Sequence, residues 1–583
     1  MILQALVHYY EELLAHGKLA APGWSDEKVS WALEIAQDGQ ILSVYNVQTD
    51  VTRGKKKSQV PQIMRVPEQA KKSVNIIPTF LCGNSSYFLG IDTKGKPART
   101  LQCFDACKEL HLSVLKDTPG KAAEAVRNFF INWQPEQASE NPILAPQLAE
   151  ILKGGNIVFQ VESGPRAQDD ADIQVAWQRY HGHNSSEMLV RCMVTGQMAP
   201  LARLHPNIKG VAGTKSFGAA IVSFNETSFC SYGHEQGANA PVGTYATFAY
   251  TQALNYLLAD HEHVQFIGDT TVVCWAENAE SVYQDATMAM LFGADGFDTN
   301  AMYDMLEKLA NGKAADWDGI MLTPGTHFYV LGLAPNAARL SVRFFWQDTF
   351  GEFAKNLKKH YKDLEIVRPS YETVERVSPY WLMLETVRKS DEEQKKEKPK
   401  LDDKLTGDLL YAILNGAEYP AEILYKVMER IRVEHIVSPN KAAIIKAYYL
   451  RTAKKQCPKE VFTVALDKKN YECVPYALGC LFAVLEELQE KANGETSTTI
   501  NSSYFSAAVS TPATVFPTLV MLGQKHLNKL EKNQRIYYNK KLSEIMAHFP
   551  IKYPAFLTLS EQGTFEIGYY HQLQERYTKK EEA

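Results

Sequence analysis

A chain of 583 residues with 45% apolar side chains can build several large buried cores, and a formal net charge of −5 excludes a protein that coats nucleic acid over its whole surface. A local basic groove stays compatible with that charge. Nine scattered cysteines without a C-x-x-C pair exclude a disulfide framework and a zinc ribbon, and suit a reducing cytosol.

The opening MILQALVHYYEELLAHG sets Ile2, Leu6, Tyr9, Leu13 and Leu14 at helical spacing. It lacks a basic start and a cleavage pattern, which predicts a docked amphipathic helix rather than a signal peptide. No apolar run is long enough to span a bilayer. A turn at Pro22 leads into two alternating stretches, 29–35 and 41–47, paired as strands around Asp38-Gly39. The densest basic stretch follows, with Arg53, Lys55, Lys56, Lys57, Arg65, Lys71 and Lys72. Charge alone fits a solvated loop or a phosphate-contacting surface. The run continues into KKSVNIIPTFLCGNSSYFLG, where Ser73, Asn75, Asn84, Ser85 and Tyr87 add hydrogen-bonding groups and favour the second reading. Helices are expected at 104–112, 121–133 and 173–180, and strands at 156–161 and 188–194.

Residues 195–277 form the central stretch, densest in glycine and uncharged polar side chains. Gly210, Gly213 and Gly218 lie in one loop with Lys209, Lys215 and Ser216. The apolar run 219–224 predicts a buried strand, SYGHEQGAN offers the amides Gln236 and Asn239, 245–258 has helical periodicity, and 270–275 predicts a second buried strand. Glycines at such junctions let backbone approach a ligand closely. Amides, hydroxyls and lysines contact phosphates and base edges well and make poor general acids or bases.

Further on, a helix is expected within 296–312, and two strands flank a turn at Pro335-Asn336-Ala337. Arg339 and Arg343 share a face there, as sheet-edge ion pairs or as nucleic-acid contacts. Residues 350–364 read as an amphipathic basic helix carrying Lys355, Lys358, Lys359 and Lys362. KSDEEQKKEKPKLDDK, at 389–404, is nearly all charged and has no apolar face, as a linker would. Beyond it, 405–414, 420–433, 440–453, 476–491, 517–530 and 537–548 read as a helical bundle. The expected class is α+β: a mixed α/β region at 1–390, a linker at 391–404 and an all-α bundle at 405–583.

No catalytic pattern assembles. Gly213-Thr-Lys-Ser lacks the order and glycine spacing of a phosphate loop. His261 and His263 have no HExxH or ligand spacing around them. Cys230 with His234, and Asp269 with Glu277, are weak pairs without a third partner.

The segments TG at Thr195, HPNIKGVAG at His205, SFN at Ser223, SYGHEQGANAPV at Ser231, ALNYLL at Ala253 and GDTTVVCWAE at Gly268 resemble the central motif of the large subunit of the type I-C CRISPR interference complex, Cascade, the Csd family. The resemblance extends to the Pro22 turn, the segment before Tyr87, the strands from Phe328, and LGCLFAVLEELQEKA and GYYHQLQERY in the last domain. It departs at Gly83, where the family usually has an acidic residue.

What the resemblance implies is a cytoplasmic, prokaryotic, non-catalytic subunit without a cofactor. Its expected partners are the guide-RNA-bound Cascade subunits, namely backbone, handle-binding and small subunits, together with double-stranded target DNA, the displaced strand and a helicase–nuclease. It would read a short protospacer-adjacent motif and start strand separation. The candidate motif readers are Lys72, Asn75, Asn84, Lys215, Gln236 and Asn239, and the candidate phosphate contacts are Lys55, Lys56, Lys57, Lys71 and Lys209. A scaffold that never touches DNA, and a metal-dependent nuclease using His261, His263 and Asp269, remain as alternatives.

Overall fold

The structure is a computed structural model that describes residues 1–53, 56–68, 76–93, 95–183, 188–293, 299–372, 377–388, 399–452, 459–494, 498–549 and 552–576. It is an α+β protein, about 50% helix and 16% strand, with a mixed N-terminal region and a helical C-terminal region. The chain divides into two compact units, Leu3–Leu204 with Phe224–Gln252, and His205–Ser223 with Ala253–Ala583.

In the first unit, α1 (Ile2–Ala15) buries Leu6, Tyr9, Tyr10 and Leu13 on one face, as its periodicity requires. Its Tyr10 hydroxyl donates to Ala20 O at 2.8 Å. The sheet is built around β1 (Trp24–Ile35). β2 (Ile41–Asn46) pairs antiparallel along its second half, as the Asp38-Gly39 signal predicts. Of the basic stretch, Arg53 lies on β3 (Thr49–Arg53) and Lys56 and Lys57 on β4 (Lys56–Val60), and these two strands pair antiparallel. β5 (Gln62–Pro67) then pairs along the first half of β1. β6 (Cys82–Gly83) leads through α2 (Ser85–Phe88) to α3 (Pro97–Leu115), α4 (Lys121–Asn132) and α5 (Ala145–Ile151). β7 (Asn156–Val161) returns parallel to β1 and carries β6 on its other edge.

Burial along β1 alternates in its first half and is continuous from Val29 onward. Both sheet faces are covered there, which removes the polar-out positions. One face meets a cluster that includes Phe80, Phe88, Phe129, Phe130 and Phe159; the other meets Val29, Ala32, Met64, Val66 and Val158. His111 sits inside the first cluster with both ring nitrogens bonded, to Leu81 N–H and Cys107 O. Burial holds it neutral by lowering its pKa to about 3. α6 (Ala171–His183) completes this layer, and β8 (Leu189–Arg191) with β9 (Met198–Pro200) forms a separate ribbon. The strand expected over 188–194 is therefore only the short β8. α7 (Thr244–Ala259) contains the division between the units.

In the second unit, β10 (Gln265–Ile267) and β11 (Thr270–Ala276) open an antiparallel sheet. After α8 (Val282–Thr287), α9 (Thr299–Ala310) and the ribbon β12 (Ala315–Trp317) with β13 (Ile320–Leu322), it is completed by β14 (His327–Asn336) and β15 (Arg339–Thr349). Thr349 caps α10 (Phe350–Leu364) by accepting from Glu352 N–H. The helix is amphipathic as expected, and three of its four lysines are engaged: Lys355 with Glu352, Lys358 with Glu307, and Lys359 with Gly416 O at 2.6 Å.

Next come α11 (Pro379–Leu384), α12 (Asp403–Leu414), α13 (Ala421–Glu434), α14 (Pro439–Arg451), α15 (Val474–Asn493), α16 (Ile500–Ser510), α17 (Pro512–Leu527), α18 (Lys532–Met546) and α19 (Leu559–Gln574). Within the charged stretch 391–404, Leu401 is buried and Asp402 caps α12, while 391–398 lie outside the described residues. One hydrophobic core runs from Ile267 on the sheet to Tyr570 in α19. α15 and α19 cross at two glycines: a Cβ on Gly479 would lie 2.0 Å from Phe565 O, and one on Gly568 2.2 Å from Tyr476 O. Backbone touches backbone there, a contact only glycine permits.

Two further expectations are corrected. Residues 219–224 are not a strand. Ala219 exchanges backbone bonds with Ile208 while Ala220 bonds Ala338 and Leu340, so two single bridges to different partners replace a ladder. The helix expected from Pro517 begins at Pro512, with Pro517 inside it.

Candidate nucleic-acid interface

The first unit carries the loop 231–239. Its base is an extension of the β8–β9 ribbon: Met193 N–H bonds Pro241 O and Ala202 N–H bonds Val242 O, both at 2.9 Å. Gly237 N–H then donates to Arg203 O at 3.1 Å, and a Cβ on Gly237 would lie 2.2 Å from Ala202 O. Asn239 staples the loop from within. Its Oδ1 accepts from Ser231 N–H at 2.9 Å, and its Nδ2 donates to Gln236 O at 3.0 Å and His234 O at 3.3 Å. Gln236, in the left-handed region at φ +47°, accepts from Arg203 Nε through Oε1. Its side-chain N–H groups have no partner among the described residues. At the tip Tyr232 is 98% exposed and also left-handed, at φ +55°.

The second unit carries the loop 209–218. Lys209 N–H donates to Asn255 Oδ1 at 2.8 Å, Thr214 bonds Val211 O, and Ala212 N–H donates to Thr271 Oγ1 at 3.0 Å. Gly218 admits the chain's own backbone: a Cβ there would lie 2.2 Å from Ile208 O. Lys209 and Lys215 both face solvent, and Lys215 Nζ lies 5.7 Å from the ring centre of exposed Phe217.

The structure thus brings Gln236 and Asn239 together in one unit and Lys209 and Lys215 together in the other. Asn84, in the first unit, is half-buried at the start of α2; its backbone carbonyl accepts from Tyr87 and Phe88, and its Oδ1 is buried without a partner among the described residues. Beside it, a Cβ on Gly83 would lie 2.6 Å from Thr79 Oγ1, so this chain has no room for the acidic residue usual in the resembled family. Lys56 and Lys57 are on β4, paired with Arg53 and Thr52. Lys55, Lys71, Lys72 and Asn75 lie outside the described residues.

Three of the groups considered for catalysis, His263, Asp269 and Cys230, are engaged elsewhere. His263 is bonded through both ring nitrogens, to Asp260 at 2.7 Å and Asp285 at 2.6 Å. Burial alone would lower its pKa, and the two carboxylates outweigh that and raise it. Asp269 pairs with Arg343 at the sheet edge. Cys230 Sγ donates to Glu226 O. Among the described residues no group of three His, Cys, Asp or Glu side chains could hold a metal, and no helix is long and apolar enough to cross a membrane.

Sequence reasoning missed two features. Tyr232 is one, since nothing local signals a side chain left wholly in water. The other is the corner between α17 and α18, where 525–541 hold six lysines and arginines against Glu531 alone. Lys525, Lys532, Arg535 and Lys540 are exposed there and have no ion pair among the described residues, with half-exposed Tyr537 between them. That charge ratio was legible and could have flagged the segment.

No curated protein matches the chain. Residues 6–577 match the family described as CRISPR-associated protein (Cas_Csd1). The match covers nearly the whole length, both compact units included, and the chain belongs to the Cas_Csd1 family of CRISPR-associated proteins.

Proposed function

We propose that the chain reads a short motif in duplex DNA beside the guide-RNA target, starts strand separation there, holds the displaced strand, and offers a docking surface to a helicase–nuclease while having no active site of its own. The observation that carries this reading is the stapled loop 231–239, which keeps a tyrosine ring 98% in water. A left-handed non-glycine residue costs about 1 kcal/mol or more, and a solvent-exposed ring returns nothing to the fold. Stacking on an unpaired base is worth roughly 1–3 kcal/mol, which offsets part of the few kcal/mol needed to unstack a base step. Gln236, with its N–H donors unspent, reads a base edge beside that ring, and Asn239 acts by holding the loop.

Base contacts and phosphate contacts are separate tasks. Glu226 and Glu235 are exposed on or near the loop, so phosphates are held elsewhere: by Lys209 and Lys215, and by the α17–α18 cations for the displaced strand. Guide pairing supplies the long specificity, which leaves the protein only a few base pairs to read.

The test uses the assembled, guide-loaded complex. Tyr232→Ala is expected to weaken binding to a paired target about tenfold, equivalent to roughly 1.4 kcal/mol, and to leave a target with its first pairs pre-melted nearly unaffected. Equal loss on both targets, or none, overturns the role of Tyr232. Replacing Lys525, Lys532, Arg535 and Lys540 by alanine should flatten the salt dependence of displaced-strand binding, by about 0.7 in log–log slope for each phosphate no longer neutralised.

A further inference from the structure

We propose that the β8–β9 ribbon and the cavity beside it form a docking surface for another protein subunit, one that inserts an arginine or lysine side chain. Met188, Leu189, Met193 and Met198 are 65%, 63%, 60% and 65% exposed. Leu189 opposes Pro200 and Arg191 opposes Met198, so Leu189 and Met198 stand on one face of the ribbon. Single exposed apolar side chains are ordinary; four large ones on one short ribbon mark an interaction surface. Methionine adapts its shape to a partner, which suits a docking face.

The ribbon borders a cavity of about 380 Å³ whose opposite wall is α1. Gln4 Nε2 ties that wall to the ribbon by donating to Val194 O at 3.0 Å. Val7, Val194 and Ala199 give the cavity apolar sides, and Glu11 gives it a carboxylate. Glu11 accepts from the Tyr245 hydroxyl at 3.2 Å, which fixes one oxygen and leaves the other without a partner among the described residues. Gln4, His8, Thr195 and Gln197 also line it. A partly apolar slot ending in an oriented carboxylate fits a long aliphatic stem with a cationic head. A phosphate chain does not fit the cavity: Glu11 repels it there, and Arg191, the exposed cation on the ribbon face, is not among the residues that line it. A small ligand would fill the cavity and leave the ribbon's methionines in water. The chain's family places it with other subunits of a CRISPR complex, which supplies a partner of the required kind.

The experiment reconstitutes the complex from the full chain, guide RNA and the remaining subunits, and measures the fraction of chain incorporated. The Met193→Glu, Met198→Glu double variant is expected to incorporate at least tenfold less well, with the thermal midpoint of the free chain unchanged. Glu11→Gln is isosteric and decides the matter should the double variant unfold. Wild-type incorporation is expected to weaken as salt rises, and Glu11→Gln to start weaker and lose that dependence. Normal incorporation of both variants overturns the proposal. Normal incorporation with lost DNA binding also overturns it, and assigns the face to nucleic acid.

Discussion

Replacing Asn239 with alanine removes three hydrogen bonds, of 2.9, 3.0 and 3.3 Å, that close the loop 231–239 on itself. Each contributes about 1 kcal/mol net in a typical protein setting. The side chain is half-buried, so we discount the sum to about 2 kcal/mol, or roughly a 30-fold rise in loop opening. Native-state hydrogen exchange reads this directly, because Ser231 N–H donates to the Asn239 side chain and His234 N–H to Ser231 O. Both amides should lose about 30-fold in protection, while Leu33 on β1 stays unchanged. Asn239→Asp retains the acceptor for Ser231 and loses both donors, so its loss should be intermediate. Target binding should weaken by no more than the change in opening. Unaltered protection at Ser231 and His234 would refute the claim that Asn239 holds the loop.

Three further outcomes are expected. Gly479→Ala should cost about 3 kcal/mol by forcing α19 away from α15. Gly523→Ala should cost far less, because its Cβ meets flexible leucine ends, Leu485 Cδ2 at 2.6 Å and Leu488 Cδ2 at 3.8 Å; equal shifts in urea midpoint would contradict this. Burial pushes the Glu566 carboxyl up to about 8, against the opposing pull of Arg432 and Lys441. An acid raised in the folded state loses stability as pH climbs from its unfolded value, near 4.5, through about 8, so Glu566→Gln should melt higher than wild type at pH 9 and equally at pH 4. His263 is raised by Asp260 and Asp285, and its contribution is fully present below its ordinary value and lost as pH rises past the raised one. His263→Gln should therefore lose more stability at pH 6 than at pH 9, measured by thermal unfolding.

The parts of the fold legible in the sequence are those with one strong periodicity. The α1 stripe, the Asp38-Gly39 hairpin, fully buried β11 and amphipathic α10 each follow from local pattern. Where tertiary partners decide, the pattern misleads. Ala219 and Ala220 are apolar like a strand, yet their backbone groups go to Ile208 on one side and to Ala338 and Leu340 on the other. Pro517 resembles a helix start, but Pro512 holds that position and the turn of helix between them tolerates the second proline. The candidate site divides similarly. The density of amides and glycines in 195–277 was visible. That the Asn239 amide is consumed by its own loop, and that Gly218 and Gly237 exist to admit neighbouring carbonyls, depends on contacts that composition does not record.

The central claim is that this chain supplies motif reading to the complex. The measurement that tests it is duplex binding by the guide-loaded complex, with and without this chain, on targets that differ only in the adjacent motif. Motif-dependent binding confined to the complex that contains the chain is the predicted result. The same motif preference in its absence would contradict the account.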